Sequence, residues 1–246
     1  MIVLDVMKKN ILGLKIDSLT FAEALEKVDD LIVAKKPSQV ITVNPEMVMA
    51  AQKDKEFRRI INQANLIVPD GKGIMLAGKF LGKPLRERIT GVDLTWAVCK
   101  LAEDRGYGVF FLGGGVGIAK EVSQRIKKLH PHLKIAGFYV GFPGDEKTIE
   151  LLKQARPDVL LVAFGAPQQE KFINGLKNQG INIPLSIGVG GTFDYIAGKY
   201  PYAPDWIRKI GLEWLYRLFT QPWRWRRIIT ATILFPWAVI KFKILK

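Results

Sequence analysis

The chain has 246 residues, 48% hydrophobic and 24% charged, a balance that supports a sizeable folded core and excludes a disordered or fibrous protein. Its single cysteine, Cys99, excludes an intramolecular disulfide, and with only two histidines it excludes a zinc site of Cys and His ligands. A formal net charge of +14 favours a polyanionic partner: nucleic acid, a phosphorylated substrate or an anionic membrane.

Residues 1–10 mix apolar and charged side chains without the apolar stretch of a signal peptide, so a cytoplasmic origin is expected. Residues 11–16 form a short apolar alternation. Thr20 and Glu23 have the spacing of a capping box and start a helix predicted to reach about residue 36. A buried strand follows over 40–43, and Asn44-Pro45 provides a cap and a first-position proline for a helix running to about 63. Another strand, 66–68, ends in Pro69-Asp70-Gly71-Lys72-Gly73. A helical segment, the charged stretch 83–88 and a helix over about 92–105 come next. Strands are predicted over 109–112, 135–140, 159–164 and 185–189. Helices are predicted from the glycine-rich turn Gly113-Gly114-Gly115-Val116-Gly117 to 129, over 147–155 and over 168–178. This alternation predicts an α/β protein: a Rossmann-like, mostly parallel sheet with helices on both faces.

The pattern changes after Gly198, which divides an α/β domain (1–198) from a helical C-terminal appendage (199–246). The appendage holds ten basic and two acidic residues, more than half of the charge excess. Over 205–219 Trp206, Ile210, Trp214 and Leu218 recur every fourth residue, as in a helix with one apolar face. Such a stripe suits either a membrane face or a core packed on the main domain. Pro222 restarts the helix, and Trp223-Arg224-Trp225-Arg226-Arg227 leads into the apolar run 228–240, which contains Pro236. Those 13 residues fall short of the roughly 20 needed to cross a bilayer. Interleaved Trp and Arg suit an anionic membrane surface, where each basic residue contributes roughly 1 kcal/mol. They would also suit single-stranded nucleic acid, but the continuous apolar run argues against that partner. An apolar tail on a soluble protein also allows self-association into a homo-oligomer.

In parallel sheets ligands bind beyond the carboxyl ends of the strands. Gly113 and Gly114 stand at one such end, where a glycine-rich turn before a helix either receives phosphate or is simply a tight turn. Asp70 stands at another, as a proton acceptor or as a helix cap. Thr42 and Asn44 line the same crevice or cap the next helix. Arg88 is placed to pair with a diphosphate, unless it is a solvated surface charge. Gln169 and Glu170 begin a helix, where an amide can bond a sugar or a base and a carboxylate is also an ordinary first-turn residue. There is no Asp-x-Asp pair to bind a metal–nucleotide complex.

Seven segments in order carry a family resemblance: Thr-Val-Asn-Pro-Glu (42–46), Pro-Asp-Gly-Lys-Gly (69–73), Arg-Ile-Thr-Gly-Val-Asp-Leu (88–94), Phe-Leu-Gly-Gly (111–114), Gly-Ala-Pro-Gln-Gln-Glu (165–170), Gly-Val-Gly-Gly-Thr-Phe-Asp (188–194) and Gly-Leu-Glu-Trp-Leu-Tyr-Arg-Leu (211–218). In these the chain resembles the WecG/TagA/CpsF glycosyltransferases. The resemblance implies an inverting, metal-independent transferase on the inner face of the cell membrane. Its donor would be a UDP-sugar, typically UDP-N-acetylmannosamine. Its acceptor would be N-acetylglucosaminyl-diphospho-undecaprenol, in the synthesis of teichoic acid or a related wall polymer. It also implies Asp70 as the base, Thr42 and Gln169 as pocket residues and Arg88 as a holder of the leaving diphosphate. Arg217, Arg224 and Arg227 would come from the tail to complete the site. Tyr202, where arginine is expected, and Gln221, where glutamate is expected, depart from the family pattern. A basic nucleic-acid-binding or nucleotide-binding protein without catalysis is the alternative.

Overall fold

The computed structural model describes residues 7–204, 206–207 and 212–245. Strands β1 (Lys8–Ile11) and β2 (Leu14–Asp17) form an antiparallel hairpin, so the alternation over 11–16 is broken by a two-residue turn. Leu12 and Gly13 both have positive φ, 48° and 83°, the twist that suits a hairpin. Leucine is tolerated there because its side chain is buried in the core. The hairpin covers the sheet edge, where the Ile67 N–H donates to Asp17 at 2.8 Å.

Helix α1 (Phe21–Val33) begins with the expected capping box: the Glu23 N–H donates to Thr20 Oγ1, and the Thr20 N–H donates to Glu23 Oε2. β3 (Ser38–Val43) is buried throughout, and Asn44 caps α2 (Pro45–Lys53). The helix predicted to run to 63 is interrupted. Asp54 leaves helical geometry at φ −111°, ψ 99° and caps a new helix, α3 (Lys55–Gln63), by accepting the Phe57 N–H at 2.9 Å.

There follow β4 (Leu66–Pro69), α4 (Lys72–Phe80), α5 (Gly91–Arg105), β5 (Gly108–Gly113) and α6 (Ile118–Leu129). β6 (Lys134–Tyr139), α7 (Glu146–Ala155), β7 (Val159–Ala163), α8 (Gln168–Leu176), β8 (Leu185–Gly188) and α9 (Thr192–Ile196) complete the body. The six-stranded sheet has the order β4-β3-β8-β7-β5-β6, and every neighbouring pair is parallel. Val40, Leu185 and Ile187 face a cluster with α1, α5, α6 and α9; Ile41 and Val43 face one with α2, α3 and α4. The helices after the adjacent strands β3 and β8 therefore lie on opposite faces. That arrangement opens a crevice at the carboxyl ends of those two strands.

In the tail, α10 (Glu213–Thr220) is followed by a 3-10 turn at Pro222–Arg224 and α11 (Trp225–Ile229). A π turn, Thr230–Leu234, continues into α12 (Phe235–Ile244). The π turn ends two residues before Pro236, whose missing N–H would break a regular α ladder. Trp206 and Trp214 are exposed, so the reading of that stripe as ordinary core does not hold; Ile210 lies outside the described residues. Instead the tail is held by Phe235 and Val239, which are buried among Met47, Val48, Ile74 and Ala77. Phe235→Ala is expected to cost about 3–5 kcal/mol of stability, to be read from urea unfolding. No helix of the described residues is long and apolar enough to cross a membrane.

Candidate active site

A cavity of about 620 Å³ occupies the crevice. Thr42 lines it near the end of β3 and Asn44 just beyond that strand, Asp70 beyond β4, Gly165 and Gln169 beyond β7, and residues 188–192 at the end of β8. The tail adds Glu213, Tyr216, Arg217, Arg224, Arg226 and Arg227 to the same lining. Gly91 lets the walls close up, since a Cβ there would lie 3.2 Å from Thr192 Oγ1 and 3.5 Å from Thr42 Oγ1.

Asp70 is not the cap of the helix that follows it. That position belongs to Gly71, whose φ of 94° suits glycine and which offers no side-chain bond to α4. The Asp70 N–H donates to the Val43 carbonyl at 2.7 Å, and its carboxylate accepts the N–H of Gly91, the first residue of α5, at 3.4 Å. Burial pushes this carboxyl up to about 6. The positive charges of Arg217 and Arg88 and the Gly91 N–H hold it below where burial alone would put it, while Glu213 raises it. A carboxyl so poised is largely ionised at neutral pH yet still basic enough to take a proton.

Gln169 is fixed on three sides. Its Oε1 accepts the N–H groups of Gly165 and Gly190, each at 3.0 Å, and its Nε2 donates to Glu170 Oε1 at 2.7 Å. The Glu170 side chain is wholly buried, and burial pushes its carboxyl up to about 7.

The tail arginines bring concentrated positive charge. Arg217 stacks 5.2 Å from the centre of the Tyr195 ring. A Cβ at Gly191 would lie 3.3 Å from Arg224 Nη2, so glycine admits the guanidinium to the loop beyond β8. Burial, then repulsion from Arg227, pushes the Arg224 guanidinium below its ordinary range. Arg227 Nε donates to Glu46 Oε2 at 2.5 Å. A crowded set of arginines beside a half-buried carboxylate is a place for a diphosphate and a proton acceptor together. Among the described residues no group of three or more His, Cys, Asp or Glu side chains could hold a metal ion.

The model of the Glycosyl transferase WecG/TagA/CpsF family matches residues 9–246. The chain belongs to this family. Among curated relatives, the N-acetylglucosaminyldiphosphoundecaprenol N-acetyl-beta-D-mannosaminyltransferase of Bacillus subtilis (strain 168) is 34% identical over 212 residues, 86% of this chain and 82% of the relative. The protein of the same description from Staphylococcus aureus (strain NCTC 8325 / PS 47) is 31% identical over 225 residues, 90% of this chain and 87% of the relative.

In this WecG/TagA/CpsF chain the cavity brings together Thr42, Asn44, Asp70, Gln169, Arg217, Arg224 and Arg227. Asn44 both lines it and caps α2, accepting the Met47 N–H at 3.0 Å. Arg88 is not among the lining residues; it reaches the site through Glu213 Oε1, 3.4 Å from its Nη1. Glu170 lies behind the wall rather than in it. Gly113 and Gly114 also lie outside the lining, and the Gly114 N–H is spent on the Ala163 carbonyl at 3.0 Å. Close packing accounts for these two glycines: Cβ atoms there would come within 2.8 Å of Ala163 O and 2.6 Å of Ile118 Cγ2.

Of the two departures from the family pattern, Tyr202 lines the cavity and packs its ring 5.1 Å from that of Tyr195. Gln221 is buried and donates from Nε2 to the Tyr195 hydroxyl at 3.4 Å, a bond no carboxylate could donate. Sequence reasoning gave no role to Glu213 or Tyr195. Both stand within or beside the quoted segments, but nothing local signals that Glu213 meets a residue 125 positions earlier.

Proposed function

We propose that this chain transfers N-acetylmannosamine from a UDP-sugar to an N-acetylglucosaminyl-diphospho-lipid of the undecaprenol type, with inversion at the transferred carbon. The observation that carries the reading is that Asp70, poised near pH 6, and the tail arginines line one cavity, with the charge of Arg217 acting on Asp70. Asp70 takes the proton of the acceptor hydroxyl as its oxygen attacks the sugar C1. The bond from C1 to the UDP oxygen breaks, and UDP leaves with the electron pair. Arg217, Arg224 and Arg227 stabilise the two diphosphates, which makes the reaction independent of a metal ion, while Arg88 acts from behind through its ion pair with Glu213. Thr42, Asn44 and Gln169 supply hydrogen bonds that orient the sugars.

The exposed Trp223, Trp225 and Trp237, among basic residues, support binding to the inner, anionic face of the cell membrane. There the lipid acceptor meets the cavity. The test is a panel of UDP-sugars offered with a synthetic diphospholipid acceptor in anionic vesicles, in the presence of EDTA. The mass of the lipid product should report transfer from UDP-N-acetylmannosamine, and transfer only from another donor would reject the sugar assignment.

The pH dependence gives a further check. Activity should rise with pH through about 6 as Asp70 loses its proton. Glu213 raises the Asp70 pKa, so Glu213→Gln should move this acid limb to lower pH in kcat/KM profiles.

A further inference from the structure

Glu170 is a carboxylate at the start of α8, yet its side chain is fully buried. A first-turn acid that merely complemented the helix dipole would do so from solvent. Among the described residues no cation acts on Glu170: its Oε1 accepts from Gln169 Nε2 at 2.7 Å, and its Oε2 finds no hydrogen-bond partner there. Burying a carboxyl under these conditions is costly, and an apolar side chain of the same size would serve packing better.

The surroundings are built around the pair. A Cβ on Gly188 would lie 2.5 Å from Gln169 Nε2 and 2.7 Å from Glu170 Oε1, so the last residue of β8 must be small for the two side chains to meet. An amide offers two acceptor positions and two donor hydrogens. In Gln169 the Gly165 and Gly190 N–H groups take both acceptor positions, and Glu170 takes one hydrogen. One Nε2 hydrogen remains on a residue that lines the cavity.

We propose that Glu170 is a positioning residue: from behind the wall it locks the Gln169 amide so that its one uncommitted N–H is presented to an oxygen of the bound sugar substrate. The identity of that ligand rests on the transferase reading above; the lock itself does not. The interaction needs only an acceptor oxygen at Glu170, so glutamine can replace it and a hydrocarbon cannot.

The experiment compares Glu170→Gln, Glu170→Met, Gln169→Ala and the double variant Gln169→Ala/Glu170→Met in the full chain. Glu170→Gln should keep near-normal transfer. Glu170→Met should lose about tenfold or more in kcat/KM, the scale of a misplaced contact, with a Tm equal to or above that of the unchanged protein. The loss should disappear in the Gln169→Ala background, because the two residues act as one unit. Side-chain amide NMR reads the lock without any substrate. The Gln169 NH2 pair should be slow to exchange in the unchanged protein and in Glu170→Gln, and fast in Glu170→Met. A Glu170→Met variant with full transfer and a slow Gln169 amide would overturn the proposal, as would losses that add in the double variant. A slow amide in a protein that transfers no sugar would instead reject the transferase reading.

Discussion

Asp70→Asn is expected to lower transfer to the lipid acceptor by about 10²–10⁴-fold, the usual contribution of a positioned base, while UDP binding stays close to its original strength. Asparagine keeps the shape and still accepts the Gly91 N–H, so the site should assemble normally. What it cannot do is take a proton. Stability separates this loss from misfolding. The folded-state pKa of Asp70, about 6, lies above its ordinary 3.8, so the folded protein holds this proton more tightly than the unfolded chain does. The contribution of this group to stability is therefore fully present below pH 3.8 and is lost as the pH rises to about 6. The loss amounts to at most about 3 kcal/mol. Removing the charge relieves that cost, and Asp70→Asn should melt no lower than the unchanged protein at pH 8. Near-normal turnover, or a large fall in Tm, would remove the base assignment.

The second large effect is expected at Arg224. Arg224→Ala should lower kcat/KM for the lipid acceptor by about 10²–10³-fold, the scale of losing one donor to developing charge. Arg224 sits against Gly191 and beside Arg227, where burial and then repulsion from Arg227 push its proton affinity down. A bound diphosphate relieves that repulsion. Arg224→Lys should recover only part of the loss, because an ammonium cannot make the paired contact of a guanidinium. Deleting the tail from residue 200 onward should abolish activity as well. It would also uncover the apolar face over Met47, Val48 and Ile74 that Phe235 and Val239 bury, so the point substitutions are the sharper probe.

The parts of the fold that could be read from the sequence are those whose signals are local. Thr20 with Glu23 and Asn44 with Pro45 are capping chemistry spelled out within four residues, and both helices start where that chemistry places them. The parallel sheet was legible because five of its six strands are buried runs set between helices. The hairpin turn at Leu12-Gly13 was not, since leucine at positive φ is held there by core burial rather than by turn propensity. Nor was the break at Asp54, where the apolar period carries on through a residue that caps instead of continuing. In the site, Asp70 stood at a strand end as expected, but the residue that frees it from capping, Gly71, declares itself only through its backbone angle. Glu170 could be read as a pocket residue or as an ordinary first-turn acid, because its burial on α8 depends on Gly188, a residue of another element. Arg88 reads as a direct ligand until Glu213 is seen between it and the cavity. The misses at Leu12, Glu170 and Arg88 share a cause: long-range contacts decide them, and no local spacing encodes such contacts.

A single base facing a leaving diphosphate performs one direct displacement, which reverses the configuration at the sugar C1. The most direct measurement is the NMR anomeric coupling of the disaccharide released from the lipid product, made by the intact chain from α-linked UDP-N-acetylmannosamine. A single β-linked product is expected; an α-linked product, or none on the lipid, would contradict the role given to Asp70 in this cavity.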